Sequence, residues 1–311
     1  MTGNPLKPAL RILSLGAGVQ STALLLLSAE GHIPKYDAAI FADTGWEPQT
    51  VYDHLDRLER EVATSAGIPI YRVSGGHIRD DALNPQRRFA AMPTYVKNPD
   101  GSFGMTRRQC TAEYKLKPIK AKVRELLGFQ HPTPIPKGVY VQQHIGISTD
   151  EWHRAHPSDV KYAINVWPLL DLGWSRKNCL QFLTTRGWPE TPKSACIGCP
   201  YHGNSTWRRM RAHQPAEFAD AVAFDHAIRH GSARANATGT PLRGQMFLHR
   251  SRLPLDQAPI ERVTRHEHQQ AQPTILDLLD EQAFADAYLE ADIPGCSPFA
   301  CRADAINLAA A

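Results

Sequence analysis

A transmembrane helix is excluded because the sequence contains no run of 18 or more apolar residues. The first ten residues, MTGNPLKPAL, lack the charged and apolar regions of a secretion signal, so we expect a cytoplasmic protein with no membrane partner. Neither an internal repeat nor a low-complexity tract occurs in the 311 residues, of which 42% are hydrophobic and 21% charged. This composition is typical of a globular chain with one large or two modest domains.

Cysteine is scarce, with six residues, and in a cytoplasmic chain these are not expected to form a disulfide framework. Cys179 lies in the amphipathic stretch WSRKNCLQFL and is predicted to pack in a core. The other five stand beside glycine, proline or basic residues, which favours a chemical role. They are Cys110, Cys196, Cys199, Cys296 and Cys301.

The net charge of +4 does not by itself indicate a nucleic-acid partner, but the charge is unevenly placed. Residues 201–252 hold eight arginines and three acidic residues, whereas residues 253–300 hold nine acidic residues and two arginines. The basic stretch fits either an anionic substrate or solvated helix faces, and both interpretations stay open. Trp207, followed by Arg208 and Arg209, fits either stacking on a base or anchoring of a helix to a core.

Strand-like and helix-like patterns alternate through the first half of the chain. The strand-like runs are 11–15, 38–42, 68–73 and 139–147, and the helical patterns are 19–30, 48–67 and 116–128. This alternation predicts an α/β fold, a parallel sheet with helices on both faces. Residues 74–109 break the periodicity, and so long a loop is usually a lid, a substrate loop or disordered. We predict one domain at 1–173 and a mainly helical C-terminal region at 174–311.

A glycine turn, Ser14-Leu15-Gly16-Ala17-Gly18, joins the first predicted strand to the first predicted helix. Backbone N–H groups in such a turn open toward a phosphate at the helix N-terminus. A Walker-type loop is excluded because residues 16–22 contain no lysine. A dinucleotide-binding turn matches GxGxxG except at Ser21, and Asp43 stands where its ribose-binding acid would lie, so this interpretation stays open.

A third interpretation comes from the longer pattern GAGVQSTALLLL, residues 16–27, followed by IFADTGWEPQTVYDHLDRLE, residues 40–59. This pattern resembles the phosphoadenosine phosphosulfate (PAPS) reductase family of the pyrophosphate-loop superfamily, in which a glycine loop cradles phosphate. The resemblance continues in RRQCTAEYKLKPI, GISTDEWHR, NVWPLLDLGWSRKNCLQFL and SACIGCP, over nearly the whole of residues 10–200. It implies an adenine nucleotide alpha-hydrolase-like fold and a bound adenine nucleotide, either ATP or adenylyl sulfate.

The matched motifs also imply which residues contact the nucleotide. Glycines let the backbone approach phosphate oxygens, and the Ser21 hydroxyl adds a donor. Basic side chains are expected near a multiply anionic ligand, although a solvated basic helix start explains them equally well. The implied set is Ser14, Gly16, Ala17, Gly18, Gln20, Ser21, Thr22, Asp43, Thr44, Gly45, Arg107, Arg108, Lys115, Glu151 and Arg154. Gln20 replaces the aspartate of the family's SGGKDS loop, which leaves cleavage of ATP open.

The cysteine spacing is consistent with a metal centre. From the residues alone, the CxxC of Cys196 and Cys199 with further cysteines suits tetrahedral zinc, an unmetallated pair or a redox dithiol. The resemblance favours a [4Fe–4S] cluster, which the family's iron–sulfur reductases hold with two adjacent cysteines and a CxxC. Here Gln109-Cys110 stands at the adjacent pair. The implied ligands are therefore Cys110, Cys196 and Cys199, with Cys296, Cys301 or no protein atom as the fourth.

The stretch PGCSPFACRADA contains Cys296 and Cys301. In the family's reductases a C-terminal cysteine attacks sulfur, but the Cys-Gly-Leu-His motif of that site is absent here. Because that motif is absent, three roles stay open for these two cysteines. They are predicted as catalytic nucleophiles, as metal ligands or as a sulfur relay.

Together these features predict a nucleotide-dependent sulfur-handling enzyme. In this hypothesis ATP adenylates an acceptor, and sulfur transfer is assisted by the iron–sulfur cluster. The implied partners are a sulfur donor or reductant protein and an acceptor, for which nucleic acid is one candidate. Two alternatives stay open: a sulfonucleotide (APS/PAPS) reductase, and a zinc-stabilised module that binds nucleic acid or a protein partner through the basic region.

Overall fold

The structure is a computed structural model that describes residues 7–88 and 91–264. This part of the chain forms two compact units. Unit 1 consists of residues 7–76 and 111–195, and unit 2 of the described residues in 77–110 and 196–264. The predicted domain boundary after residue 173 stays a prediction. Among the described residues, no helix has the length and apolar character needed to cross a membrane.

The predicted strands at 11–15, 38–42, 68–73 and 139–147 correspond to four of the eight strands in the described part of the chain. The strands are β1 (Leu10–Ser14), β2 (Ala38–Asp43), β3 (Ile70–Ser74), β4 (Tyr95–Lys97), β5 (Phe103–Met105), β6 (Val141–Ile145), β7 (Ala163–Val166) and β8 (Gln245–Phe247). The helices are α1 (Val19–Ala29), α2 (Gln49–Leu58), α3 (Thr64–Ala66), α4 (Ile78–Leu83), α5 (Lys117–Leu126), α6 (Pro168–Asp171), α7 (Arg176–Thr184), α8 (Asn204–His213), α9 (Pro215–Ala227) and α10 (Ala233–Ala237). π-helical turns cover Glu59–Ala63 and Thr111–Leu116, and a 3-10 turn covers Thr149–Arg154.

Unit 1 is built on a parallel sheet with the strand order β3-β2-β1-β6-β7. Each neighbouring pair of strands in this sheet is parallel. The chain leaves β1 toward β2 and β3 on one side and later returns to β6 on the other side. The carboxyl ends of β1 and β6 therefore form a topological switch point, where open α/β sheets bind their ligands.

Helices cover both faces of this sheet. Successive residues of a buried strand point to opposite faces, so each strand contributes side chains to both cores. Ala39 and Phe41 of β2 lie in a core with the buried side chains of α1, α2 and α7. Ile40 of β2 lies in a second core with Ile119 and Val123 of α5. The predicted fold class, a parallel α/β sheet with helices on both faces, is confirmed.

Unit 2 contains a second, antiparallel sheet with the strand order β5-β4-β8. The structure therefore corrects the interpretation of residues 74–109 as an irregular loop, since they include α4, β4 and β5. The hairpin turn between β4 and β5 is closed by Asn98 and Ser102, with Gly101 at a φ of +84°. Strands of three residues are too short to give a readable alternation in the sequence.

The described part of the C-terminal region is mainly helical, as predicted, with α8 and α9 at the two expected helices. Trp207 is fully buried and packs edge-to-face against His202 and Phe218. It therefore anchors α8 to a core and does not present a ring to a base. Cys179 is also fully buried, and burial raises the pKa of its thiol to about 12. The prediction that it packs in a core is confirmed.

Candidate functional site

The glycine turn lies between β1 and the first turn of α1. Gly16 and Gly18 each donate a backbone N–H to the Ser21 hydroxyl oxygen, at 3.2 and 3.3 Å. Ala17 between them is fully buried and has a φ of +55°, a left-handed conformation that costs a non-glycine residue free energy. The strained turn thus points two amides at one oxygen, which is the geometry of an anion-binding nest at a helix N-terminus.

The end of β6 comes very close to this turn at Gly146. A Cβ atom at Gly146 would lie 2.9 Å from the Ser21 backbone nitrogen and 3.0 Å from the Gln20 carbonyl carbon. Only glycine allows this approach, because both neighbouring atoms belong to backbone. The structure therefore brings the 146–154 segment, matched in the sequence to a separate motif, directly to the start of α1.

A buried polar network joins α1 to this segment. The Gln20 side-chain amide donates to Ser148 Oγ at 3.4 Å and to Glu151 Oε2 at 3.3 Å. Arg154 donates to Glu151 Oε1 at 2.7 Å, and both of these side chains are nearly excluded from solvent. Burial raises the pKa of Glu151, and the nearby Arg154 guanidinium opposes that effect. Three predicted nucleotide contacts, Gln20, Glu151 and Arg154, are thus placed together beside the glycine turn.

The end of β2 holds a second group of predicted contacts. Asp43 Oδ1 accepts a hydrogen bond from the Gly45 backbone at 2.7 Å and another from the Tyr52 hydroxyl at 2.8 Å, which fixes the carboxylate. Burial raises the pKa of Tyr52, and its hydrogen bond to Asp43 adds to the effect. The Asp43 carboxylate is therefore held as an oriented acceptor at the carboxyl end of the strand next to β1.

A buried ion pair lies just beyond Asp43. Lys115 Nζ is 3.3 Å from Glu47 Oε1, and the two side chains are 6% and 0% exposed. Thr44 donates its hydroxyl to the same Glu47 oxygen at 3.2 Å. The predicted contacts Thr44 and Lys115 are therefore linked through Glu47, which the sequence motif includes.

Two hydroxyls of the β1–α1 region differ in their surroundings. Thr22 Oγ1 is 3.0 Å from His54 Nε2 in the interior, so this hydroxyl links α1 to α2. Ser14 Oγ, at the carboxyl end of β1, is buried and has no hydrogen-bond partner among the described residues. A buried hydroxyl that makes no hydrogen bond is costly, and a bound ligand would remove that cost.

Ser194 packs against the glycine turn, and the sequence reasoning missed it. Cβ positions built at Gly16 and Gly18 lie 3.9 Å from Ser194 Oγ and 3.7 Å from Ser194 Cβ, and Ser194 itself is buried. Ser194 precedes Cys196 by two residues. Its presence in the SACIGCP motif was the available signal, because the motif was considered only for its cysteines.

Arg107, Arg108 and the described candidate metal ligands belong to unit 2. The Arg108 guanidinium lies over the Tyr201 ring, 5.0 Å from its centroid. Burial raises the pKa of Tyr201, and the nearby Arg108 guanidinium opposes that effect. Arg108 thus contacts Tyr201, which follows Cys199 by two residues and which the sequence motifs did not single out.

The CxxC segment forms a compact turn. The Cys199 N–H donates to the Cys196 carbonyl at 3.0 Å, and His202 Nε2 lies 2.9 Å from the same oxygen. Within residues 7–88 and 91–264, no three or more histidine, cysteine or acidic side chains are grouped so that they could hold a metal ion. The assignment of Cys110, Cys196 and Cys199 as metal ligands therefore stays a prediction. Cys296 and Cys301 lie outside the described residues.

The fold and the turn define an α/β protein in which the amides of Gly16 and Gly18 converge at a helix N-terminus, at the switch point of a parallel sheet. No protein-family signature matches the chain, and no curated protein sequence does. Among solved structures, the chain is similar to the phosphoadenylyl-sulfate (PAPS) reductase from Candida auris, solved as a phosphate complex. The two chains share 13% identity and a TM-score of 0.34, over 60% of this chain and 76% of that chain. A similarity of this size carries no argument about the function of this chain.

Proposed function

We propose that unit 1 binds an adenine nucleotide, ATP or adenylyl sulfate, and that the protein is a nucleotide-dependent sulfur-handling enzyme. The observation that carries this proposal is the convergence of the Gly16 and Gly18 amides at the N-terminus of α1. A phosphate oxygen would accept hydrogen bonds from the same two amides. The motif resemblance to the PAPS reductase family supplies the adenine nucleotide as the ligand class.

The surrounding residues support a phosphate ligand. The buried Ser14 hydroxyl offers a donor, and Lys115 and Arg154, each paired with a buried carboxylate, offer further N–H donors at the same edge of the sheet. Asp43, held by Gly45 and Tyr52, is oriented to accept hydrogen bonds from ribose hydroxyls.

The proposed reaction begins with attack of an acceptor oxygen on the α-phosphorus of ATP, and pyrophosphate leaves. A sulfur nucleophile then attacks the adenylated carbon of the acceptor, a carbon–sulfur bond forms, and AMP leaves. The sulfur would come from a sulfur donor protein, and Cys110 and Cys199, which are half-buried, are the described thiols that we assign to receiving it.

Calorimetric titration of the full chain with ATP and with adenylyl sulfate tests the nucleotide site. Gly18→Asp should weaken binding at least a hundredfold, because a carboxylate about 4 Å from a phosphate repels it by several kcal/mol at an effective dielectric of about 20. Gly104→Asp is the matched control, since Gly104 lies in unit 2 with open space around its Cβ position. Equal binding by wild type and Gly18→Asp would contradict the proposal.

The reaction type is tested with the same two ligands. Sulfur transfer predicts that ATP is converted to AMP and pyrophosphate only when an acceptor and a sulfur donor are present. Sulfonucleotide reduction predicts sulfite from adenylyl sulfate and a thiol reductant, without ATP. Release of sulfite would overturn the transfer reaction in favour of reduction and would leave the nucleotide site in place.

A further inference from the structure

The antiparallel sheet of unit 2 presents a row of large side chains on one face. Residues directly opposite one another in antiparallel strands point to the same side of the sheet. The side chains on this side, which we call the aromatic face, are Tyr95, Lys97, Phe103, Met105, Gln245 and Phe247. Val96 and Met246, which alternate with them, are buried on the opposite side. Phe247 is buried as well, at 4% exposure, so the open part of the aromatic face lies on β4 and β5.

Much of the aromatic face is open to solvent. Phe103 is 64% exposed and Met105 is 40% exposed, and both belong to β5, the edge strand of the sheet. These two large apolar side chains remove little apolar surface from water on folding, so they contribute little to the stability of the fold. An exposed apolar patch with a polar rim marks an interaction site.

The Arg252 side chain is held over this face by a hydrogen bond to the backbone of β4. Its guanidinium lies 4.2 Å from the Phe103 ring centroid and 5.7 Å from that of Tyr95. Nε donates to the Val96 carbonyl at 3.2 Å, and Arg252 has a left-handed φ of +56°, which a non-glycine residue rarely adopts. No carboxylate of the described residues forms an ion pair with Arg252. The hydrogen bond to Val96 thus keeps a cation, without a carboxylate partner among the described residues, on an exposed ring.

Negative charge is almost absent around the aromatic face. Residues 91–110 contain one acidic residue, Asp100, and residues 240–255 contain none. Asp100 accepts hydrogen bonds from the Ser102 hydroxyl and backbone N–H, which lower its pKa and use it to close the hairpin turn. Lys97 is exposed on the face itself. A ligand of this surface must therefore combine negative charge with flat apolar groups.

We propose that the aromatic face binds single-stranded nucleic acid. Bases would stack on Phe103 and Tyr95, and phosphates would pair with Lys97 and Arg252. Aromatic rings and cations alternating on an open sheet suit a single strand, whose bases are free to stack, better than a duplex. RNA and DNA single strands share this chemistry. The proposal goes beyond the nucleotide site, because every residue that it uses lies in unit 2.

Fluorescence anisotropy with labelled 20-nucleotide oligo-U RNA and oligo-T DNA tests this surface on the full chain. Phe103→Ala should weaken binding of the preferred strand about five- to a hundredfold, because it removes a stacking platform. Lys97→Gln should reduce the slope of log Kd against log salt by about 0.7, the contribution of one phosphate contact on a single strand. Arg252→Gln should weaken binding and also reduce the slope.

The matched controls are Trp152→Ala and Lys161→Gln in unit 1, which remove a 68% exposed aromatic side chain and an exposed cation elsewhere. Both should bind like wild type. Binding that is equal in wild type and Phe103→Ala, or stronger for duplex than for single strand, would overturn the proposal. Self-association that depends on Phe103, without nucleic-acid binding, would instead assign the face to a second copy of the chain. None of these outcomes depends on whether unit 1 binds a nucleotide.

Discussion

The carboxyl edge of the unit 1 sheet and the aromatic face of unit 2 differ in how their charged side chains are paired. At the sheet edge of unit 1, Lys115 and Arg154 are buried and each faces a buried carboxylate, Glu47 or Glu151. On the aromatic face of unit 2, Arg252 lies over exposed Phe103 with no carboxylate partner among the described residues. Buried pairs are screened little by salt and are costly to break, whereas exposed cations respond strongly to salt. We therefore expect substitutions in unit 1 to affect folding and substitutions on the aromatic face to affect binding.

The largest effect is expected from breaking the Lys115–Glu47 pair. Lys115→Met should lower the free energy of unfolding by about 3–5 kcal/mol, because it leaves a buried carboxylate without its cation. Urea denaturation at neutral pH measures this change. Lys117→Met is the matched control, since Lys117 is 77% exposed and its pair with Glu113 should contribute less than about 1 kcal/mol. A loss of similar size in both variants would contradict the contrast between buried and exposed charges.

The next largest effect is a loss of stability at acidic pH, caused by two buried histidines. Burial lowers the pKa of His144 in unit 1 and of His249 in unit 2 to about 4. Since the folded pKa lies below the unfolded value of 6.5, stability is complete above pH 6.5 and is lost as pH falls toward 4. Each histidine should cost about 3 kcal/mol by pH 4.

Leucine substitutions separate the two histidines. The ring nitrogens of His144 have no hydrogen-bond partner among the described residues. His144→Leu should therefore reduce the loss of stability below pH 6.5, which we call the acid limb of the stability curve, and leave the free energy of unfolding at neutral pH unchanged. His249 is 2.9 Å from Asn204 Oδ1 and 2.7 Å from Ser251 Oγ. His249→Leu should flatten the same limb but lose about 1–3 kcal/mol at neutral pH. Urea unfolding between pH 4 and pH 8 measures both, and an unchanged acid limb in His144→Leu would contradict the prediction.

A smaller loss is expected at the closest backbone approach in unit 1. Gly146→Ala should destabilise the protein by about 1–3 kcal/mol, because its Cβ would meet the α1 backbone below 3.0 Å. Gly16→Ala is the control, since its Cβ would make only ordinary contacts, and its effect should stay within about 1 kcal/mol. Equal thermal stability of the two variants would show that the approach at Gly146 is not tight.

The smallest effect on folding is expected on the aromatic face. Phe103→Ser should change the free energy of unfolding by less than about 0.5 kcal/mol, because the ring is mostly exposed. Thermal and urea unfolding of this variant beside wild type provide the measurement. A loss above about 2 kcal/mol would mean that Phe103 serves the fold of unit 2 and would weaken its assignment to binding.

The sequence was informative where local pattern and tertiary structure agree. Buried parallel strands read as continuous apolar runs, so β1 and β2 and the glycine turn between β1 and α1 were predictable. The short strands β4 and β5 were not, because three residues give no measurable period. Gly146 was not recognised as a neighbour of Ser21, since their contact depends on the pairing of β1 with β6. Ser194 was missed for a similar reason, because only folding brings it to the glycine turn.

Hydrogen–deuterium exchange of the full chain, with and without saturating ATP or adenylyl sulfate, tests the central claim most directly. The nest at Gly16 and Gly18 predicts slower exchange of amides in residues 14–22, with further protection in 43–47 and 146–154. Unchanged exchange in residues 14–22 under conditions in which the nucleotide is bound, or protection confined to unit 2, would contradict a nucleotide site at the glycine turn.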